Sequence, residues 1–166
     1  MKKQLKLNLG CGGTHLDGYI NIDIVNENNC ADEIADCSDL LIKHPEWEGK
    51  VDEILLMHVF EHFTKEDASH ALKDYCALMS TTGHLIIELP DFEALCSLVL
   101  EGNIDDLTLC YIFGSHSREG QVHHWGWTPL ALRRELLKAG FNEVIIGLAS
   151  DYHAQERPCF RVEASK

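Results

Sequence analysis

Three groups of residues carry types and spacings that chemistry could use. The first is Gly10-Cys11-Gly12-Gly13, which follows a short apolar run at 5–9 and precedes Tyr19-Ile20-Asn21-Ile22-Asp23. Glycines let backbone N–H groups approach a ligand with no Cβ in the way. A carboxylate closing the next strand can accept both hydroxyls of a ribose. Glycine turn and strand-end acid together point to a pocket for an adenosine-containing cofactor. The second group, His58-Val59-Phe60-Glu61-His62, spells HxxEH. On a helix, His58 and His62 would share a face as metal ligands do, with Glu61 as base and Glu135 as a third ligand from downstream. Here the pattern directly follows an apolar strand, and five letters recur by chance, so no resident metal is expected. The third group is the polar, Gly- and His-rich stretch 115–126, carrying His116, His123 and His124. Imidazole, with an unperturbed pKa of about 6.5, suits general-base work near neutrality. Trp125 and Trp127 read as packing residues.

These groups need a scaffold, and the hydrophobic pattern supplies one. Residues 51–57 (VDEILLM) and 84–89 (HLIIEL) read as buried strands, and 32–35 as a short candidate strand. Thr64 caps a helix running to about Met79, with Ala68, Leu72, Tyr75 and Leu78/Met79 as its apolar stripe and Thr82-Gly83 as its stop. Helices are expected over 92–100 and 104–113, and another from Thr128-Pro129 to Ala139-Gly140. Strands at 143–149 and 159–164 close the chain, joined by a polar loop through His153 and Pro158. Alternating strands and helices predict an α/β fold with a mainly parallel sheet. Only about ten residues separate the first two strands, fewer than the dozen or so of an ordinary parallel crossover. The early connecting helices must therefore be short or missing.

At 166 residues the chain is expected to form one domain spanning 1–166. No apolar run is long enough to span a membrane, and Met1-Lys2-Lys3-Gln4 leads directly into a strand, which argues against a signal peptide. Seven cysteines with no CxxC pair disfavour a disulfide framework or zinc ribbon. Reduced thiols in a cytoplasmic protein are the simplest reading. A net charge of −13 repels polyphosphate, so nucleic acid is not an expected partner, whereas a cationic cofactor is compatible.

Leu9-Gly10-Cys11-Gly12 followed by Asn21-Ile22-Asp23 resembles the first two motifs of class I S-adenosylmethionine-dependent methyltransferases. More narrowly it resembles small bacterial members written roughly LNLGCG…GYxNxD. His58-Val59-Phe60-Glu61-His62 stands where that family often has HVLEH. Residues 82–91 stand where it has a PGG turn, a strand and Pro-Asp, and 123–129 resemble the subgroup's loop before a late helix. The order of these motifs along nearly the whole chain carries the resemblance. It implies a Rossmann-like, doubly wound, mainly parallel sheet with shortened N-terminal helices and an antiparallel last strand. It also implies S-adenosylmethionine as cofactor. Gly10 and Gly12 would let the chain pass the methionine part, with Asn8 and Cys11 beside them. Asp23 would bind the ribose hydroxyls, with Ile24 next to it. Asp36 and Cys37 would sit at the adenine, and Met57 and His58 would line the pocket. Asn8 replaces an acid common before the glycine turn, and Thr82 replaces the proline of PGG.

Ligands in open α/β sheets bind at the carboxyl ends of strands. His58 and Asp91 follow strand ends, so they are candidate catalytic residues, with His123 as the candidate from the late loop. The expected reaction is methyl transfer to a small-molecule or sugar- or lipid-linked acceptor. The rivals are a zinc hydrolase built on HxxEH and a non-catalytic module that binds cofactor or a partner. A nicotinamide dehydrogenase is disfavoured because His15 stands where GxGxxG has its third glycine.

Overall fold

The computed structural model describes residues 4–117 and 120–166. The strands are β1 (Lys6–Leu9), β2 (Ile20–Asp23), β3 (Glu33–Ile34), β4 (Val51–Met57), β5 (Met79–Pro90), β6 (Glu143–Leu148) and β7 (Cys159–Ser165). They form a seven-stranded sheet in the order β3-β2-β1-β4-β5-β7-β6. β7 is antiparallel to both of its neighbours, and the β1, β2, β3, β4 and β5 pairs are parallel. β6 therefore runs with the parallel set, and its carboxyl end opens on the same side as those of β1, β2, β4 and β5. The strand order reverses between β1 and β4, the place where open α/β sheets bind ligands.

Leu7, Asn8 and Leu9 of β1 are all buried, a continuous rather than alternating pattern. Central parallel strands read this way because both faces are covered. The helices are α1 (Leu40–Lys43), α2 (Lys65–Leu78), α3 (Phe92–Leu100), α4 (Asp106–Phe113), α5 (Pro129–Ala139) and α6 (His153–Glu156). Thr64 Oγ1 accepts the Asp67 N–H at 3.2 Å and starts α2. Ala68, Leu72, Tyr75 and Leu78 form its buried stripe as expected. α2 packs against α1 and α5.

The β1–β2 connection has no helix, β2–β3 only a single 3-10 turn, and β3–β4 only the four-residue α1 between two more such turns. A polar clamp holds the first connection in place of a helix. The buried Asn21 side chain accepts from Asn8 Nδ2 and from Leu16 N–H, both at 2.9 Å, and donates to Asp32 Oδ2 at 2.9 Å. Each of these groups is thereby satisfied without water, as buried amides require.

Two boundaries differ from the sequence expectation. α2 stops at Leu78 and β5 begins at Met79, so Thr82-Gly83 lies inside the strand. Met79 pairs with Val51, and the next pair is His84 with Glu53, so residues 80–83 bulge out of the register. The loop through His153 contains the short α6. Among the described residues no helix is long and apolar enough to cross a membrane.

Candidate functional site

A cavity of about 920 Å³ opens at the carboxyl ends of the strands, a size within the range of small-molecule sites. At one end lie the glycine turn and the end of β2. Gly10 and Cys11 donate their N–H groups to the Ile22 carbonyl at 2.8 and 3.2 Å, tying the turn to β2. Asp23 completes the tie, with Oδ2 accepting from Gly12 N–H at 2.7 Å and Oδ1 from Val25 N–H at 3.1 Å. A carboxylate has about four lone-pair sites, so two remain for a diol.

Both glycines have left-handed backbones, φ +68° at Gly10 and +53° at Gly12. Their surroundings differ. A Cβ on Gly10 would sit 2.3 Å from a Val59 methyl, whereas one on Gly12 would meet no atom within 4 Å. Gly10 is thus fixed by packing, and Gly12 presents bare backbone to the cavity. Ile24, half exposed, offers an apolar surface beside Asp23. Asp36 caps the turn carrying Cys37, its Oδ1 accepting from Ser38 N–H at 2.9 Å. Burial pushes the Cys37 thiol up to about 12 and the Cys11 thiol, beside Asp23, up to about 11. Both are protonated packing groups at neutral pH.

The other end of the same cavity is rich in imidazoles. His58 follows β4 with φ +55°, and Phe60–His62 form a 3-10 turn. HxxEH is therefore not helical, and His58 and His62 leave the turn in different company. His58 packs against His153 with ring centroids 4.0 Å apart and the planes tilted by 34°. His153 Nδ1 forms a short hydrogen bond with Asp151 Oδ1, an acid–imidazole pair in which the carboxylate orients the ring. His62 meets His123 edge to face, with centroids 4.8 Å apart. Between them lies Glu61, almost fully buried, with His58 Nδ1 at 3.4 Å and His123 Nε2 at 4.0 Å. Burial works to raise the Glu61 pKa, but the His58, His62 and His123 imidazoles outweigh it and hold the carboxyl below its usual range. His123 is driven the other way, its pKa lowered by burial despite Glu61.

The late loop is pinned onto this turn. The Glu61 carbonyl accepts the His124 N–H at 2.9 Å and the Trp125 N–H at 3.3 Å. Trp127 is core, packed on Phe60, while Trp125 is partly exposed beneath the Lys65 ammonium.

Asn8, Gly10, Cys11, Gly12, Asp23, Ile24, Asp36, Cys37, Met57, His58 and His123 all line the cavity. Asn8 has its amide nitrogen spent on Asn21, so it holds the turn. Asp91 does not join the others. Its Oδ1 accepts the N–H groups of Glu93 and Ala94 at 3.1 and 3.2 Å and caps α3. Glu135 is also elsewhere, facing Lys138 and Lys65. Sequence reasoning passed over Asp151 and Tyr152 and left His153 in a loop. The signal was available, because they follow β6, whose carboxyl end opens on the ligand side of the sheet. Glu88 was missed as well. This β5 carboxylate is wholly buried and accepts from Ser150 N–H, Ser150 Oγ, Asp151 N–H and Arg161, anchoring the segment that carries Asp151 and His153.

No protein-family model and no curated protein sequence matches the chain. Solved structures do. A SAM-dependent methyltransferase from Archaeoglobus fulgidus superposes with a TM-score of 0.69 at 17% identity, over 99% of this chain and 87% of that one. A SAM-dependent methyltransferase from Thermotoga maritima gives 0.64 at 14% identity, over 100% and 84%. The chain thus has the Rossmann-like fold of S-adenosylmethionine-dependent methyltransferases.

Proposed function

We propose that the protein transfers a methyl group from S-adenosylmethionine to a small-molecule or sugar- or lipid-linked acceptor. The observation that carries this reading is one cavity, at the switch point of the sheet, joining the Gly10–Gly12 turn and Asp23 to a cluster of imidazoles. The residues fit the cofactor. Asp23 has unused lone pairs for the ribose hydroxyls, Gly12 leaves open space beside its backbone, and Ile24 and Asp36 line the same cavity, where an adenine would have an apolar face and an acceptor beside it. Bound there, the cofactor would supply a methyl group already activated on a sulfonium.

The chain's own residues then have two tasks, alignment with exclusion of water and removal of the acceptor's proton. His153 is the base best placed for the second, with His58 packed against its ring. Asp151 holds His153 by Nδ1 and leaves Nε2 as the nitrogen free for the cavity. Asp91, committed to its helix cap, drops out of the catalytic set.

The test is formation of S-adenosylhomocysteine from S-adenosylmethionine in the presence of panels of hydroxylated and amine acceptors. Acceptor-dependent turnover that His153→Ala lowers by about a hundredfold, within the usual span of general-base effects, supports the reading. Cofactor binding with no turnover on any acceptor would leave a non-catalytic binding module. Nucleic acid is not proposed as acceptor, because the net charge of −13 opposes it.

A further inference from the structure

The Glu61 side chain is 4% exposed, and neither carboxylate oxygen has a hydrogen-bond partner among the described residues. Buried polar groups are nearly always paired, so an orphaned carboxylate calls for an explanation. Its surroundings make the problem sharper. His62 Nδ1 lies 3.0 Å from the Val122 carbonyl, and His123 Nδ1 lies 3.0 Å from the Tyr111 carbonyl. A carbonyl only accepts, so each Nδ1 carries the ring proton, and the neutral imidazole keeps Nε2 as a bare lone pair. Two lone pairs and a carboxylate thus converge, and the ring nitrogen that could bring a proton, His58 Nδ1, stands 3.4 Å from Oε1, too poorly aligned for a hydrogen bond.

We propose that Glu61, His62 and His123 bind a divalent transition-metal ion of the zinc class at the acceptor end of the cavity. One ligand atom from each lies within 4.8 Å of the others. Two metal–ligand bonds of about 2.1 Å at a tetrahedral angle hold their ligand atoms about 3.4 Å apart, so binding draws each side chain inward by up to about 1 Å. Two imidazoles and one carboxylate are a nitrogen-rich set that selects zinc, cobalt or iron over magnesium and calcium.

The scaffold for such a site is built without the ion. The Val122 and Tyr111 carbonyls fix both ring orientations, as the outer partners of metal-binding histidines do. The Glu61 carbonyl holds the His124 and Trp125 N–H groups, so the loop bearing His123 is fastened to the turn bearing Glu61 and His62. All three ligands line the cavity. Three protein ligands leave at least one coordination position open, the arrangement of a catalytic rather than a structural site. On the methyl-transfer reading, that position would hold the acceptor's oxygen or nitrogen; metal binding itself does not depend on that reading. The ligand set also differs from the helical HxxEH pattern, since it takes His123 from the late loop in place of His58.

The experiment uses the full chain, stripped with chelator and titrated with Zn²⁺ against a chromophoric competitor, then with Co²⁺ read by its visible d–d bands. The expected result is one Zn²⁺ per chain and a Co²⁺ spectrum of low coordination number. Glu61→Gln and His123→Gln should each weaken Zn²⁺ binding by about a hundredfold, at or beyond the upper end of outer-partner effects. Asp151→Asn, in the neighbouring His58–Asp151–His153 group, should leave it within about threefold. Circular dichroism melts confirm that each variant is folded. Failure to bind Zn²⁺ stoichiometrically, or binding that survives both ligand substitutions, overturns the proposal. So does binding lost with Asp151→Asn, which would move the ion to the other cluster. S-adenosylhomocysteine binding by the stripped protein is measured in parallel, and its presence or absence tests the cofactor reading separately.

Discussion

Replacing Glu88 by alanine should be among the most damaging single changes in the chain. Its carboxylate, fully buried on β5, faces Arg161 Nη1 at 2.9 Å, Ser150 Oγ at 2.9 Å and the N–H groups of Ser150 and Asp151 at 3.0 Å. Removing one partner of a buried ion pair costs roughly 3–5 kcal/mol because the other charge stays behind unpaired. Arg161 is about a quarter exposed and keeps Glu163 at 2.7 Å, which places the expected loss near the lower end, about 3 kcal/mol. Urea denaturation at neutral pH measures it as a lowered midpoint with an unchanged slope.

The pH dependence follows from the same contacts. Burial alone would raise the Glu88 pKa, but Arg161 and the Ser150 and Asp151 donors outweigh it and hold the folded-state value below the usual 4.5. A depressed carboxylate contributes stability above its unfolded pKa and loses it as pH falls through the folded one. The gap between wild type and Glu88→Ala should therefore be full above about pH 5 and shrink below that. Because Glu88 anchors the segment bearing Asp151 and His153, the folded variant should keep cofactor affinity and lose turnover. A loss under about 1 kcal/mol, the worth of one ordinary hydrogen bond, or a gap that widens in acid would refute this reasoning.

Other consequences concern the cofactor end and the thiols. Asp23→Ala should remove two hydrogen bonds to the ribose, about 1.4–2.8 kcal/mol, or ten- to a hundredfold in S-adenosylhomocysteine affinity by calorimetry. An affinity within threefold of wild type in a folded variant would show that the ribose lies elsewhere. Gly10→Ala and Gly12→Ala should separate packing from binding. The first meets Val59 and should cost about 1–3 kcal/mol in thermal stability. The second should cost about 1–2 kcal/mol for its left-handed backbone and weaken cofactor binding more than its stability loss explains. Cys11 and Cys37, with thiols pushed up to about 11 and about 12, should resist iodoacetamide at pH 8 in the folded protein, as read by peptide mass spectrometry.

Much of the cofactor end was legible because its parts are local in sequence. A strand, a glycine turn and a second strand ending in an acid lie within residues 5–23, and the short connections announced that early helices were missing. What replaces them, the Asn8–Asn21–Asp32 clamp, is carried by side-chain amides that leave no periodicity. The acceptor end was much less legible. His58 meets His153 across 95 positions, and nothing in the local pattern of either records that contact. Asp91 illustrates two signals at one residue. A carboxylate after a strand reads as a ligand, yet an acid before an apolar helix is also an N-cap, and the cap is what the fold uses. In HxxEH the letters fit a helix, but the positive φ at His58 turns the chain before one can start.

The central claim is that the cavity takes S-adenosylmethionine, and thermal unfolding with and without S-adenosylhomocysteine tests it most directly. At a hundred times its dissociation constant the ligand should stabilise the fold by about 2.7 kcal/mol. For a chain of this size that corresponds to a rise of about 5–10 °C in Tm. A rise of that order, cut to about half or less at the same ligand concentration by Asp23→Ala, is the predicted result. An unchanged Tm at millimolar ligand would contradict the account.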